Sequence, residues 1–323
     1  MAHELEMLST GASMAYVGDV PWHGLGKQVP NDLTPDQMLE AAGLNWTVEK
    51  VDCHYDVNGK KMKAGIQVLV RSTDGKVPTH VKDRWEPVQN SEAFDFFNEY
   101  VMAGDMEMHT AGSLKGGQIV WALAKLKQSF ELKTPQGKDI IDSHLLFTNP
   151  HKFGQSIDVR FTPIRVVCNN TLTMALNKRE TSQMVKISHR RKFNAEQVKE
   201  TLGIANRYMN EYKDIAVFLS SKNYNKNALI EYFSEVFPKT NADPEDKGEV
   251  SRNAEMAYSV IDKQPGHELA AGTWWQAYNA VTYMTDHIVG RSANSRLESS
   301  WYGINQKKKL EALNKATKFA MAA

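Results

Sequence analysis

Seven cations in this chain are placed to neutralise a polyanion. Lys63, Lys82 and Arg84 share one strand-rich stretch, Arg160 and Arg165 another, and Arg190 and Arg191 fall in the run Ser188-His189-Arg190-Arg191-Lys192. Lysine meets phosphate oxygens as a point charge, and arginine adds a two-pronged hydrogen bond. His80 and Trp85 stand beside Lys82 and Arg84 and offer flat surfaces on which bases stack. The plainer reading is a solvated sheet face, with Arg84 and Asp52 paired across Gly65, and a solvated joint at 188–192.

Two further places could hold chemistry. His23 lies in Pro21-Trp22-His23-Gly24-Leu25-Gly26, where glycines let backbone approach closely, as a ligand loop or hydrolytic site requires. One histidine without a partner at known spacing specifies no reaction, and the plainer reading is that Trp22 anchors the arm while His23 hydrogen-bonds a carbonyl. Cys168-Asn169-Asn170-Thr171 reads as a strand running into a helix whose free N–H groups would hold phosphate, with Arg160 and Arg165 nearby; an ordinary asparagine cap is the alternative.

Several large enzyme classes lack their geometry. The chain has no Walker A loop, no Gly-x-Gly-x-x-Gly, no His-Glu-x-x-His and no Gly-x-Ser-x-Gly. Its two cysteines, Cys53 and Cys168, have no Cys-x-x-Cys neighbour, which excludes a zinc ribbon or redox motif on spacing and suggests reduced core thiols. No metal and no cofactor is expected. The net charge is +1, but Lys178, Arg179, Lys186, Arg190, Arg191 and Lys192 face only Glu180 across that stretch, so a neutral total hides a basic one. No apolar run is long enough to cross a bilayer and the start has no secretion-signal pattern, so a soluble, cytosolic protein is expected.

The elements that must position these residues follow from turn chemistry. Asn58-Gly59 and Asp74-Gly75 are two-residue hairpin signals. Folding about the first sets Tyr55 opposite Met62, Cys53 opposite Ala64 and Val51 opposite Ile66. The second then sets Val68 opposite Val81 and Val70 opposite Thr79. One face of the resulting meander, from about Trp46 to Trp85, is apolar. The other carries Lys50, Asp52, His54, Lys63, Gln67, His80, Lys82 and Arg84. A helix capped by Ser91, with Phe94, Phe97 and Val101 at helical spacing and Gly104 beyond its end, is expected to cover the apolar face. The order is therefore β-β-β-α.

Thr34-Pro35 opens an earlier short helix. Strands are expected over 106–111, 118–126, 140–148 and 156–167, forming a mostly antiparallel second sheet or an extension of the first. Helices are expected over 195–219, 226–237, 251–261 and 269–290, with a fraying basic tail over 306–318 that contains Lys307-Lys308-Lys309. The fold class is thus α+β: an N-terminal arm and short helix over 1–45, a mixed antiparallel sheet and helix core over 46–192, and a helical region over 193–323.

Three motifs spread along the chain carry a resemblance: Pro21-Trp22-His23-Gly24-Leu25-Gly26, Arg165-Val166-Val167-Cys168-Asn169-Asn170-Thr171-Leu172, and Tyr278-Asn279-Ala280-Val281-Thr282-Tyr283-Met284-Thr285-Asp286-His287. Through them the chain resembles the phage/plasmid-like proteins that carry the domain of unknown function 932. The resemblance implies a phage, prophage or plasmid setting in the host bacterial cytoplasm and supplies no catalytic residue. The β-β-β-α order is also similar to the core of ring-forming single-strand annealing proteins, a likeness of fold alone. The leading expectation is an oligomeric single-stranded DNA-binding protein with a strand-annealing role, using Lys63, Lys82, Arg84, Arg160, Arg165, Arg190 and Arg191. One rival is a host-directed or anti-defence module whose Trp274, Trp275, Tyr278 and Tyr283 face a host protein. Another is an unrecognised enzyme on nucleic acid or nucleotides, with His23, His109 or His144 converging on Arg165.

Overall fold

The structure is a computed structural model and describes residues 5–21, 24–82, 84–165, 170–171, 184–187, 209–239, 250–290, 296, 299–300 and 303–322. In chain order these form β1 (Met7–Leu8), β2 (Gly11–Ala12), β3 (Met14–Tyr16), β4 (Lys27–Gln28), α1 (Pro35–Ala41), β5 (Val48–Val57), β6 (Lys60–Arg71), β7 (His80–Val81) and α2 (Asn90–Met102). The longer strands β8 (Met106–Leu114), β9 (Ile119–Thr134), β10 (Gly137–Pro150) and β11 (Ile157–Arg165) follow, then β12 (Asn170–Thr171) and β13 (Met184–Ile187). Helix takes over with α3 (209–220), α4 (Lys226–Val236), α5 (Arg252–Val260), α6 (Trp274–Tyr283) and α7 (Ile304–Ala322). The fold is α+β.

The main sheet has the order β12-β11-β10-β9-β8-β3-β4, with β13 also paired to β11, and the meander β5-β6-β7 is a separate sheet. Within the main sheet β3–β8, β8–β9, β11–β12 and β11–β13 pair antiparallel, and at the edge β4 runs parallel to β3. Two compact units divide the chain. One holds Met1–Lys127, His144–Phe161 and Ser182–Gly203, the other Gln128–Ser143, Thr162–Thr181 and Ile204–Ala323. The units interleave, where the sequence reading has the consecutive segments 1–45, 46–192 and 193–323.

In the first unit, Thr34 caps α1 as its residue type predicts: Thr34 Oγ1 accepts from Gln37 N and Gln37 Oε1 accepts from Thr34 N. Helix α2 starts differently from the expectation. Gln89, not Ser91, is its N-cap residue, with Glu92 Oε2 accepting from Gln89 N. Gly104, at φ 71°, ends it as expected. Phe94 and Phe97 are fully buried, each contributing about 2–3 kcal/mol of apolar burial, and Phe97 meets Phe147 of β10 edge to face at 5.8 Å. Helix α2 thus packs on α1 and the main sheet.

The meander departs from its expected register in two places, and this decides which face is buried. Near Asn58-Gly59, with φ 50° and 74°, Tyr55 pairs with Met62 as expected. Past an irregularity between Asp52 and His54, where Gly65 takes φ 68°, Val51 pairs with Val68 and not Ile66. At the second turn the loop is longer than two residues: Gly75 N donates to Arg71 O and Arg71 N to Lys76 O, so Gly75 sits in the bulge that follows the turn. Val81 therefore pairs with Gln67, and Val68 with His80. A one-residue slip inverts the faces. Val48, Leu69, Arg71 and Val81 are buried, while Val51, Tyr55, Met62 and Ile66, expected in the core, are 43–49% exposed.

In the second unit, Trp274, Trp275 and Tyr278 are fully buried, and Trp275 Nε1 donates to Asp139 Oδ2 at 2.8 Å. These aromatics are core, as their density on both sides of the helix indicates. Helix α6 runs on into a π-helical turn over Met284–Ile288. The expected fraying tail is instead the packed helix α7. Its Ala312, Leu313, Ala316 and Ala320 are buried, and Lys309 is enclosed against Asp286 at 2.8 Å. Among the described residues no helix is long and apolar enough to cross a membrane.

Candidate nucleic-acid interface

The meander is held at its root and free at its tip. Arg71, at the end of β6, is 1% exposed; its Nη1 lies 2.6 Å from Glu6 Oε1, and Glu6 is also 1% exposed. Arg71 Nε and Nη2 donate to Asp74, which holds that carboxyl well below the usual carboxylate range. The guanidinium lies over the Trp46 ring at 5.1 Å. Gly117, at φ 92°, lets the backbone approach: a Cβ there would sit 2.9 Å from Arg71 Nη1. Beyond this anchor, residues 54–66 of the β5–β6 ribbon are exposed on both faces.

The seven predicted cations separate. Lys63 is exposed but hydrogen-bonded to Asp52 Oδ2 at 2.6 Å; that bond raises the Lys63 pKa and lowers that of Asp52. Asp52 therefore pairs with Lys63, not with Arg84. Lys50, on the same face, meets Glu86 at 2.7 Å. Arg160 is 9% exposed, and its Nε and Nη2 donate to Asp158, so it does not stand on an open surface. Arg165 lies in β11 with its side chain outside the described residues; Arg190 and Arg191 lie outside them altogether. Lys82 and Arg84 are exposed and make no ion pair among the described residues. Since Val81 shares a face with Gln67, His80 lies on the face opposite Lys63, and the continuous basic face of the sequence reading does not form.

What the fold assembles instead is an aromatic platform beside two of those cations. His80 is exposed and stacks on Phe153, with ring centroids 5.9 Å apart and an interplanar angle of 30°. Phe153 is 36% exposed and sits in the turn after β10, and its N donates to Oγ1 of Thr79, the residue before β7. Lys82 and Arg84 lie on the turn that leaves β7, closed by Trp85 N donating to Lys82 O. Trp85 itself is 5% exposed, so it anchors the turn and is not a stacking surface. Sequence reasoning missed Phe153. The available signal was an aromatic residue in the turn Pro150-His151-Lys152-Phe153-Gly154, where loops usually carry polar residues.

The other sequence candidates resolve as follows. His23 and Cys168 lie outside the described residues. Asn170 and Thr171 form β12, paired antiparallel to Arg165 and Ile164, so they are strand and not a helix cap, and the anion site read there does not form on them. His109 and His144 do meet, ring centroids 5.1 Å apart, with His109 Nδ1 2.7 Å from Thr110 Oγ1. His144 is buried and His109 half-buried. Among the described residues no three His, Cys, Asp or Glu side chains gather into a metal-binding group.

No curated protein and no solved structure matches the chain. A family model does: the domain of unknown function DUF932 matches residues 78–301, a span that contains the platform at His80, Lys82, Arg84 and Phe153 but not the β5–β6 ribbon. The match covers more than half of the sequence, and the chain therefore belongs to the DUF932 family.

Proposed function

We propose that this DUF932 protein binds single-stranded DNA and acts in strand annealing during recombination or replication of a phage or related element. The observation that carries the reading is the exposed His80–Phe153 stack with Lys82 and Arg84 on the adjoining turn. Bases stack on aromatic faces for about 1–3 kcal/mol each with little regard to sequence, and cations beside the stack neutralise the connecting phosphates. Such a surface suits an unpaired strand, whose bases are free to leave their neighbours. Neither contact requires a metal or a nucleotide. Lys63 is a secondary contact, because an exposed pair such as Lys63–Asp52 is weak enough to exchange Asp52 for a phosphate.

The test is fluorescence anisotropy with labelled single-stranded and duplex DNA across a salt series. The wild-type chain is expected to prefer the single strand. Phe153→Ala should weaken binding by about tenfold or more through lost stacking. Lys82→Glu with Arg84→Glu should reduce the steepness of the salt dependence by roughly 1.4, two phosphate contacts on a single strand. Absence of binding at low salt, or unchanged affinity and salt slope in both variants, refutes the proposal.

A further inference from the structure

The exposed apolar face of the β5–β6 ribbon requires an occupant. By strand alternation it carries Val51, Cys53, Tyr55, Val57, Met62 and Ile66, with Glu49 at the root end and Lys60 at the tip. Five of these side chains, Val51, Tyr55, Val57, Met62 and Ile66, are 43–49% exposed. Together they present apolar area on the order of 400 Å², the size at which a patch on a single chain marks an interaction site. Helix α2 packs on α1 and β8, and leaves these five residues open.

We propose that the occupant is the same face of a second copy of this chain, stacked antiparallel about a twofold axis that passes near Cys53. The charges select this arrangement. Glu49 and Lys60 are exposed and make no ion pair among the described residues. Lys60 pairs across the ribbon with Val57, which is eight residues along β5 from Glu49, so the two charges lie about 27 Å apart at opposite ends of the apolar strip. Cys53 is midway. An antiparallel twofold therefore sets Glu49 of each copy against Lys60 of the other, both times, and the apolar side chains between them meet one another. Parallel stacking would oppose Glu49 to Glu49 and Lys60 to Lys60. The strip supplies roughly half of the ~800 Å² that each partner contributes to a standard interface, and the charged and polar ends supply its rim.

His80 pairs with Val68 beside Val51 and so lies on the same sheet face, but the residues tested differ from those of the nucleic-acid platform and the dimer assay contains no DNA. Sedimentation velocity of the full chain across a dilution series should show a dimer. Tyr55→Lys should raise the dimer dissociation constant by at least about tenfold. Glu49→Lys and Lys60→Glu should each weaken the dimer, and the two together should restore it, because the swap recreates both pairs. In a Cys168→Ser background, a bis-maleimide that spans about 10 Å, the usual separation of stacked sheets, should join two Cys53 residues into one covalent dimer. Circular dichroism confirms that each variant is folded; if Tyr55→Lys is not, the charge-swap set decides. A monomeric wild type overturns the proposal and leaves the face to another protein. An assembly unaffected by Tyr55→Lys, or a double swap no better than the single ones, overturns it equally.

Discussion

Replacing Arg71 by Met tests the anchor that fixes the root of the ribbon within the first unit. Met keeps the aliphatic bulk, so the change removes the guanidinium with little loss of packing. The guanidinium lies 2.6 Å from Glu6, and both side chains are 1% exposed, so its removal strands a buried carboxylate. Breaking such a pair from one side costs about 3–5 kcal/mol. Two neighbours soften the loss: Ser113 Oγ donates to Glu6 Oε2 at 3.0 Å, and Lys76 Nζ lies 3.4 Å from Oε1 with its side chain 52% exposed. Loss of the contact with the Trp46 ring adds about 1 kcal/mol. The expected destabilisation is therefore about 3 kcal/mol, near the lower end of that range. Amide hydrogen exchange along β6 reads it locally, and protection of the Leu69 and Arg71 amides, which donate to Thr79 O and Lys76 O, should fall by about a hundredfold. Glu6→Leu with Arg71→Met should be less destabilised than Arg71→Met alone, because no charge is then stranded. A cost below about 1 kcal/mol for Arg71→Met, or a double variant whose cost is the sum of the two single ones, would refute the stranded-charge argument.

Two further outcomes follow from charges held by the fold. Asp74 is bound by Arg71, which keeps its folded pKa below the ordinary 3.8. The associated stability is complete above that value and is lost as the pH falls below it. The urea midpoint of the wild type should therefore drop more steeply between neutral and strongly acidic pH than that of Asp74→Asn, and parallel curves would count against it. In the second unit, burial lowers the pKa of Lys309, whose charge is matched by Asp286 with side chains 0% and 8% exposed. Lys309→Met should cost about 3 kcal/mol in a thermal or urea melt, and a change within about 0.5 kcal/mol would show the pair to be dispensable.

Local chemistry was legible wherever a few adjacent residues decide the conformation. Thr34-Pro35 made a capped helix, and Asn58-Gly59 made a turn that pairs Tyr55 with Met62. Order and class were legible for the same reason: periodicity distinguishes strand from helix before any contact is made. Burial was not. The strip Val51-Cys53-Tyr55 alternates as a core strand does, yet a bulge carrying Gly75 shifted β7 by one residue and put Leu69 and Val81, on the opposite face, into the core. The basic run at 307–309 looked like a solvated tail, but the apolar spacing of Ala312, Leu313 and Ala316 buried α7 and enclosed Lys309 with Asp286, 23 residues earlier in the chain. The candidate site divides in the same way. Lys82 and Arg84 are residues whose charge and exposure sequence can anticipate. Phe153 reaches His80 across 73 positions, and the length of β10 and the turn after it, not any local pattern, bring the two rings together. Residue type and near-neighbour spacing set what each segment is able to be. Register and packing, which depend on partners far along the chain, decided which face met water and which cations remained free to meet a phosphate.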